Sequence, residues 1–133
     1  MTKVMISVLL VAGLSLVAEP LAAHHGRGST YDISRQVELK GTVTEVSWRN
    51  PHIAIYLAVP SDNGDVVEWV IEHSNITTLA RQGYGRTTLK VGDEVMAVVN
   101  PGSGGATVAL CNRITLPDGT EIFHRNRGGR GGN

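Results

Sequence analysis

The run Val37-Glu38-Leu39-Lys40-Gly41-Thr42-Val43-Thr44-Glu45-Val46-Ser47-Trp48 decides how the rest of the chain is read. Val37, Leu39, Gly41 and Val43 alternate with polar residues, the period of two that sets one face of a strand against a core. The apolar phase then jumps to Val46 and Trp48. One strand keeps the same face buried through such a jump only if an extra residue is inserted, so the run predicts a long strand carrying a β-bulge.

Reading outward, Asn50-Pro51 breaks the run, and Ile53, Ile55, Leu57 and Val59 then alternate with His52, Ala54, Tyr56 and Ala58 as a second strand. Pro60-Ser61-Asp62-Asn63-Gly64-Asp65 is a turn, and Val67, Trp69 and Ile71 mark the inward phase of a third strand that forms an antiparallel hairpin with the second. Ile76, Leu79 and Ala80 fall at helical spacing behind a Ser74 or Asn75 cap and ahead of Gly83, which predicts a short helix. Leu89-Lys90-Val91-Gly92-Asp93 turns into a fourth strand through Val95, Ala97 and Val99, ended by Asn100-Pro101-Gly102. Gly102-Ser103-Gly104-Gly105 reads as a flexible hairpin loop. Val108, Leu110, Ile114 and Leu116 mark the inward phase of a fifth strand, with Ala109, Cys111 and Arg113 opposite, and Pro117-Asp118-Gly119 leads to a short Glu121-Ile122-Phe123 return. Three strands, a helix and two strands in so short a chain predict an all-β fold with one short helix. Closing the sheet removes its exposed edges and lets the helix plug an end, so the expected architecture is a small five-stranded OB-like barrel over residues 37–123. A flat sheet with the helix on one face is the alternative.

Both ends read differently from this body. Lys3 precedes an apolar stretch at 4–18, followed by Glu19-Pro20-Leu21-Ala22-Ala23, which reads as a secretory signal peptide cut after Ala23. The stretch falls short of the roughly 20 apolar residues of a spanning helix. The expected mature protein begins at His24, is periplasmic or secreted, and has no transmembrane segment. Residues 24–36 form an N-terminal arm. From His124 the chain is arginine and glycine with nothing to join a core, and 124–133 reads as a disordered, solvated tail.

The whole chain has 133 residues with 12 basic and 12 acidic side chains, and 41% of it is hydrophobic, enough for one small domain. Residues 24–123 hold eight basic and eleven acidic residues, a net of −3. A mildly acidic body lacks the concentrated basic surface that nucleic acid or an anionic membrane selects, so nucleic acid is not an expected partner. The single cysteine, Cys111, rules out an intramolecular disulfide and a multi-thiolate zinc site; a lone thiol in an oxidising compartment is expected to be buried and inert.

Three stretches together carry a family resemblance: Ala23-His24-His25-Gly26, the Gly41 to His52 run with its Trp48-Arg49-Asn50-Pro51-His52 segment, and Leu89-Lys90-Val91-Gly92-Asp93 with Leu116-Pro117-Asp118-Gly119. In these the chain resembles small secreted bacterial proteins catalogued only as a domain of unknown function. The resemblance implies an exported single-domain protein and supplies no activity. Gly26 departs from it where a serine commonly follows the two histidines, and Glu72-His73-Ser74 departs where glycine-rich residues are commoner, so any role of His73 belongs to this chain.

Two groups of residues carry candidate chemistry. An amino-terminal His24 offers its α-amine and ring Nδ1 as a chelate, and His25 or His52 would complete a nitrogen-rich site of the kind copper(II) prefers; His52 and His73 are a second candidate pair of metal ligands. His52 and His73 fall at the same end of their hairpin but on opposite faces by strand parity, unless the chain bulges at Pro51. Trp48, Arg49, Asn50 and His52 cluster between the first two strands, where OB-like barrels often bind ligands, although Trp48 also continues the apolar phase of its strand. Nucleophile-elbow, His-Glu-x-x-His and phosphate-loop patterns do not occur in the sequence. The expected function is therefore that of an exported, non-enzymatic binding module for an unknown small ligand, metal ion or envelope partner. The alternatives are a copper-binding protein built on His24, for storage, transfer or redox chemistry, and a structural accessory of an envelope complex.

Overall fold

The computed structural model describes residues 30–125. Residues 1–29, which include the stretch read as a signal peptide and His24 and His25, and tail residues 126–133 lie outside the described residues. Among the described residues the named elements run in order β1 (Val37–Ser47), β2 (Ala54–Pro60), β3 (Val66–Glu72), α1 (Ile76–Arg81), β4 (Glu94–Pro101), β5 (Val108–Thr115) and β6 (Glu121–Ile122). They form one sheet in the order β3-β2-β1-β4-β5-β6, and a parallel β3–β5 pairing closes it into the expected five-stranded barrel. No helix among the described residues is long and apolar enough to cross a membrane.

β1 is the strand that makes closure possible. Its first half pairs with β4 and its second with β2, and Thr42 faces a partner on both sides. The expected bulge lies between Val43 and Glu45, where Thr44 is the extra residue. It lets Val43 and Val46 share the inner face while the strand bends. Gly41 sits at the same bend, where a Cβ would run into the Ala58 carbonyl.

The barrel interior holds Val43, Ile55, Leu57, Ile71, Ala97, Val99 and Ile114. α1 lays Leu79 on this core. Its first turn is capped by Asn75, whose Oδ1 accepts the Thr78 N–H at 2.8 Å. Phe123 closes the same end, with its ring centroid 4.9 Å from Tyr84, 5.9 Å from His73 and 6.5 Å from Trp48. Its backbone adopts φ 54°, an unusual conformation for a bulky residue, within these packed rings.

The fifth strand differs from its sequence reading. Val98 faces Arg113 but Val99 faces Cys111, so Asn112 is an extra residue in β5. The insertion reverses the phase ahead of it: Ala109 and Cys111 join Ile114 in the core, and Leu110 is buried outside the core cluster. Burial pushes the Cys111 thiol up to about 12 despite the nearby Arg125 guanidinium.

A second buried region lies on the outside of the barrel. Asn100 is fully buried there; its Nδ2 donates to the Arg35 carbonyl at 2.5 Å, and its Oδ1 accepts from Asn112 Nδ2 at 2.9 Å and Arg125 Nη2 at 3.0 Å. Arg125 also donates to Asn112 Oδ1 at 2.7 Å. Arg125, assigned to the tail by composition, thus belongs to the folded body.

Candidate ligand-binding groove

The turn between β1 and β2 places its residues as follows. Trp48 is 7% exposed and packed in the core, so its ring is not offered to a ligand, which corrects its reading as a binding residue. Arg49, Asn50 and His52 are exposed. Asn50 follows with a cis peptide to Pro51, and its Oδ1 accepts the N–H of Ile76 at 3.3 Å, tying the turn to the start of α1.

His73 is 1% exposed. Its Nδ1 accepts the Ser74 N–H at 2.7 Å, which leaves the ring proton on Nε2 to donate to the Phe123 carbonyl at 2.7 Å. With both nitrogens engaged by backbone, no lone pair remains for a metal ion, and the reading of His73 as a ligand is corrected. His52 is exposed, one residue before the buried Ile53 and ahead of the start of β2. Among the described residues no three His, Cys, Asp or Glu side chains gather to hold an ion.

A concave feature of the surface lies at the barrel seam. β3 and β5 pair from Val70↔Val108 to Glu72↔Leu110, and β3 begins four residues earlier than that pairing. Where the strands part, a groove of about 740 Å³ opens, lined by arm residues 31–35, by loop residues 101–106 and by Trp69 of β3.

The arm is fastened over this seam by backbone and side chain. Tyr31 bridges to Gly102, the Asp32 N–H donates to the Pro101 carbonyl at 2.9 Å, and the buried Tyr31 hydroxyl donates to Glu72 Oε2 at 2.5 Å. Glu72 is therefore an anchor for the arm. On the opposite wall, Ser103–Gly105 lie in the hairpin loop between the antiparallel β4 and β5, where Gly104 and Gly105 adopt φ of 74° and 80°, and a Cβ at Gly102 would meet the Val108 side chain. Asp32 Oδ1 accepts both the Ser34 hydroxyl at 2.5 Å and the Ser34 N–H at 3.1 Å, and these bonds hold the carboxyl below its usual range.

The groove thus combines a half-buried indole, an apolar rim at Ile33, which is 57% exposed, one ionised carboxylate on Asp32 and the Arg35 side chain. Such a lining suits a ligand with an apolar part and polar groups at its edge. Sequence reading placed Trp69 on the inner phase correctly but had no signal for its neighbours. Tyr31 stands in an arm without periodicity, and its approach to Glu72 spans 41 positions of sequence.

No curated protein matched the sequence. Among solved structures, the chain is similar to the mitochondrial single-stranded DNA binding protein Rim1 from S. cerevisiae at 13% identity, with a TM-score of 0.47 over 62% of this chain and 93% of that one. A family model described as "Family of unknown function (DUF6152)" matches residues 12–112, and the chain belongs to that family.

Proposed function

We propose that this protein is an exported binding module that takes an amphipathic ligand in the groove at its barrel seam. One observation carries the reading: the seam is left open over the first half of β3, and the opening forms a groove that includes Trp69. Tryptophan presents a large contact area with little rotamer entropy to lose, which makes it an effective anchor for a ligand. The burial of Cys111 and the engagement of both His73 nitrogens support binding rather than covalent or acid–base catalysis. Export is supported by the apolar 4–18 stretch and the small-residue site behind it.

A fragment screen on ¹⁵N-labelled protein tests the groove. Saturable shifts are expected at the Trp69 indole N–H and the amides of Ser34, Gly104 and Gly105. Hits that instead move Arg49, Asn50 and His52 would return the site to the β1–β2 turn and overturn the groove reading.

A further inference from the structure

We propose that the edge of β3 at 66–68 accepts an extended, basic peptide segment as an added strand. The proposal rests on the groove reading above and names the ligand class.

The backbone pattern of β3 identifies the free edge. In an antiparallel pair, alternate residues turn their N–H and C=O toward the partner and the others turn them away. Ser61 N–H donates to the Asp65 carbonyl at 2.8 Å and His73 N–H to the Ile53 carbonyl at 3.0 Å, so the odd-numbered residues from 65 to 73 face β2. Even-numbered residues face the other way, as Val70 does when its N–H donates to the Thr107 carbonyl at 3.0 Å. Val66 and Glu68 present their backbone groups to the same side, ahead of the point where β5 arrives, and no backbone hydrogen bond to β5 or its loop reaches them among the described residues. Val66 is 66% exposed and Glu68 is also exposed, so solvent reaches this stretch. An edge of this kind is a template for strand addition, in which main-chain hydrogen bonds supply affinity and alternate side chains supply specificity.

Side-chain alternation and charge define the occupant. A strand added here turns every second side chain inward beside Val67 and Trp69 and the others outward beside Val66 and Glu68. The inward positions favour an apolar residue. On the outward side the strand contributes the exposed Glu68, the β2–β3 turn just before it carries the exposed Asp62 and Asp65, and Asp32 lines the adjoining groove. Arg35 is the basic side chain lining the adjoining groove. The acidic excess favours Lys or Arg at the outward positions, giving an alternating basic and apolar segment of four or five residues.

The test uses the full ¹⁵N-labelled chain and three probes: acetyl-Arg-Val-Arg-Val-Arg-amide, the same peptide N-methylated at its central arginine, and acetyl-Glu-Val-Glu-Val-Glu-amide. At saturation the first peptide is expected to slow hydrogen exchange at the Val66 and Glu68 amides, and the other two to bind at least about tenfold more weakly. Glu68→Lys is expected to reverse the preference between the arginine and glutamate peptides. Equal binding of the N-methylated peptide, or shifts at Trp69 and Gly104 without protection of Val66 and Glu68, would overturn strand addition while leaving the groove reading intact. Equal binding of the acidic peptide would overturn the charge assignment. No saturable shift up to millimolar peptide would also overturn strand addition, and the groove would then be judged by the fragment screen alone.

Discussion

The β1–β2 turn and the β3–β5 seam each carry a tryptophan, and the fold spends the two differently. At the turn, Trp48 goes into the core beside Phe123, and His73 nearby gives both nitrogens to backbone. At the seam, Trp69 packs partly on the core and still lines the groove. The turn has the composition of a site, but its aromatic ring, with the buried His73 imidazole that follows β3, serves to close the barrel end. The seam is plain in composition and open in geometry. Residue types nominate candidates, and whether neighbouring chain has already satisfied them decides which remain available to a ligand.

The widest separation is expected from the two tryptophans. Trp48→Ala should destabilise by about 4 kcal/mol, as for other large aromatic truncations in packed cores, read from urea denaturation. Trp69→Ala should cost less than half of that and abolish the fragment-induced shifts at the groove. A Trp48→Ala protein as stable as wild type would remove the distinction between the regions.

His73→Leu sharpens the same boundary. It leaves the Phe123 carbonyl and the Ser74 N–H without their buried partner and should cost about 3 kcal/mol. Next in size is Asn100→Ala, which releases the Arg35 carbonyl and two side-chain donors on the outside of the barrel; about 2 kcal/mol is expected. Because Asn100 holds the arm that walls the groove, the variant should also broaden the Ser34 and Asp32 amide signals, whereas His73→Leu should not.

Arg49→Ala and His52→Ala test the exposed part of the turn and should each stay within about 0.5 kcal/mol of wild type. The smallest effect belongs to Asp32. Its carboxyl is held below the usual 3.8, first by the Ser34 hydroxyl, so its contribution is complete above the unfolded value and is lost as pH falls through the lower folded one. A pH titration of the Ser34 amide should therefore show its inflection below 3.8. A midpoint at or above that value would mean the arm is not fastened as described.

Much of the fold was legible because strand parity is a local property. The Val43 to Val46 phase jump located the β1 bulge, and Asn75 with Leu79 located the helix. The β5 bulge at Asn112 left no such trace, since Leu110 and Cys111 are both apolar and either phase looked inward. The site was less legible than the fold. Trp48, Arg49, Asn50 and His52 are adjacent in sequence and so stood out, while Tyr31, Trp69 and Gly102 meet only after the barrel closes.

By itself the sequence determined the order of elements, the inner face of β1 to β4, the short helix and the acidic balance of the body, because alternation, helical spacing and charge are set by residues a few positions apart. Tertiary structure alone decided that β3 and β5 pair over three residues and then part, that Arg35, Asn100, Asn112 and Arg125 bond to one another, and that His73 is spent on the Phe123 carbonyl. Those outcomes depend on which distant groups reach a polar atom first once the chain has collapsed, and a buried donor or acceptor with a partner is no longer available to a ligand.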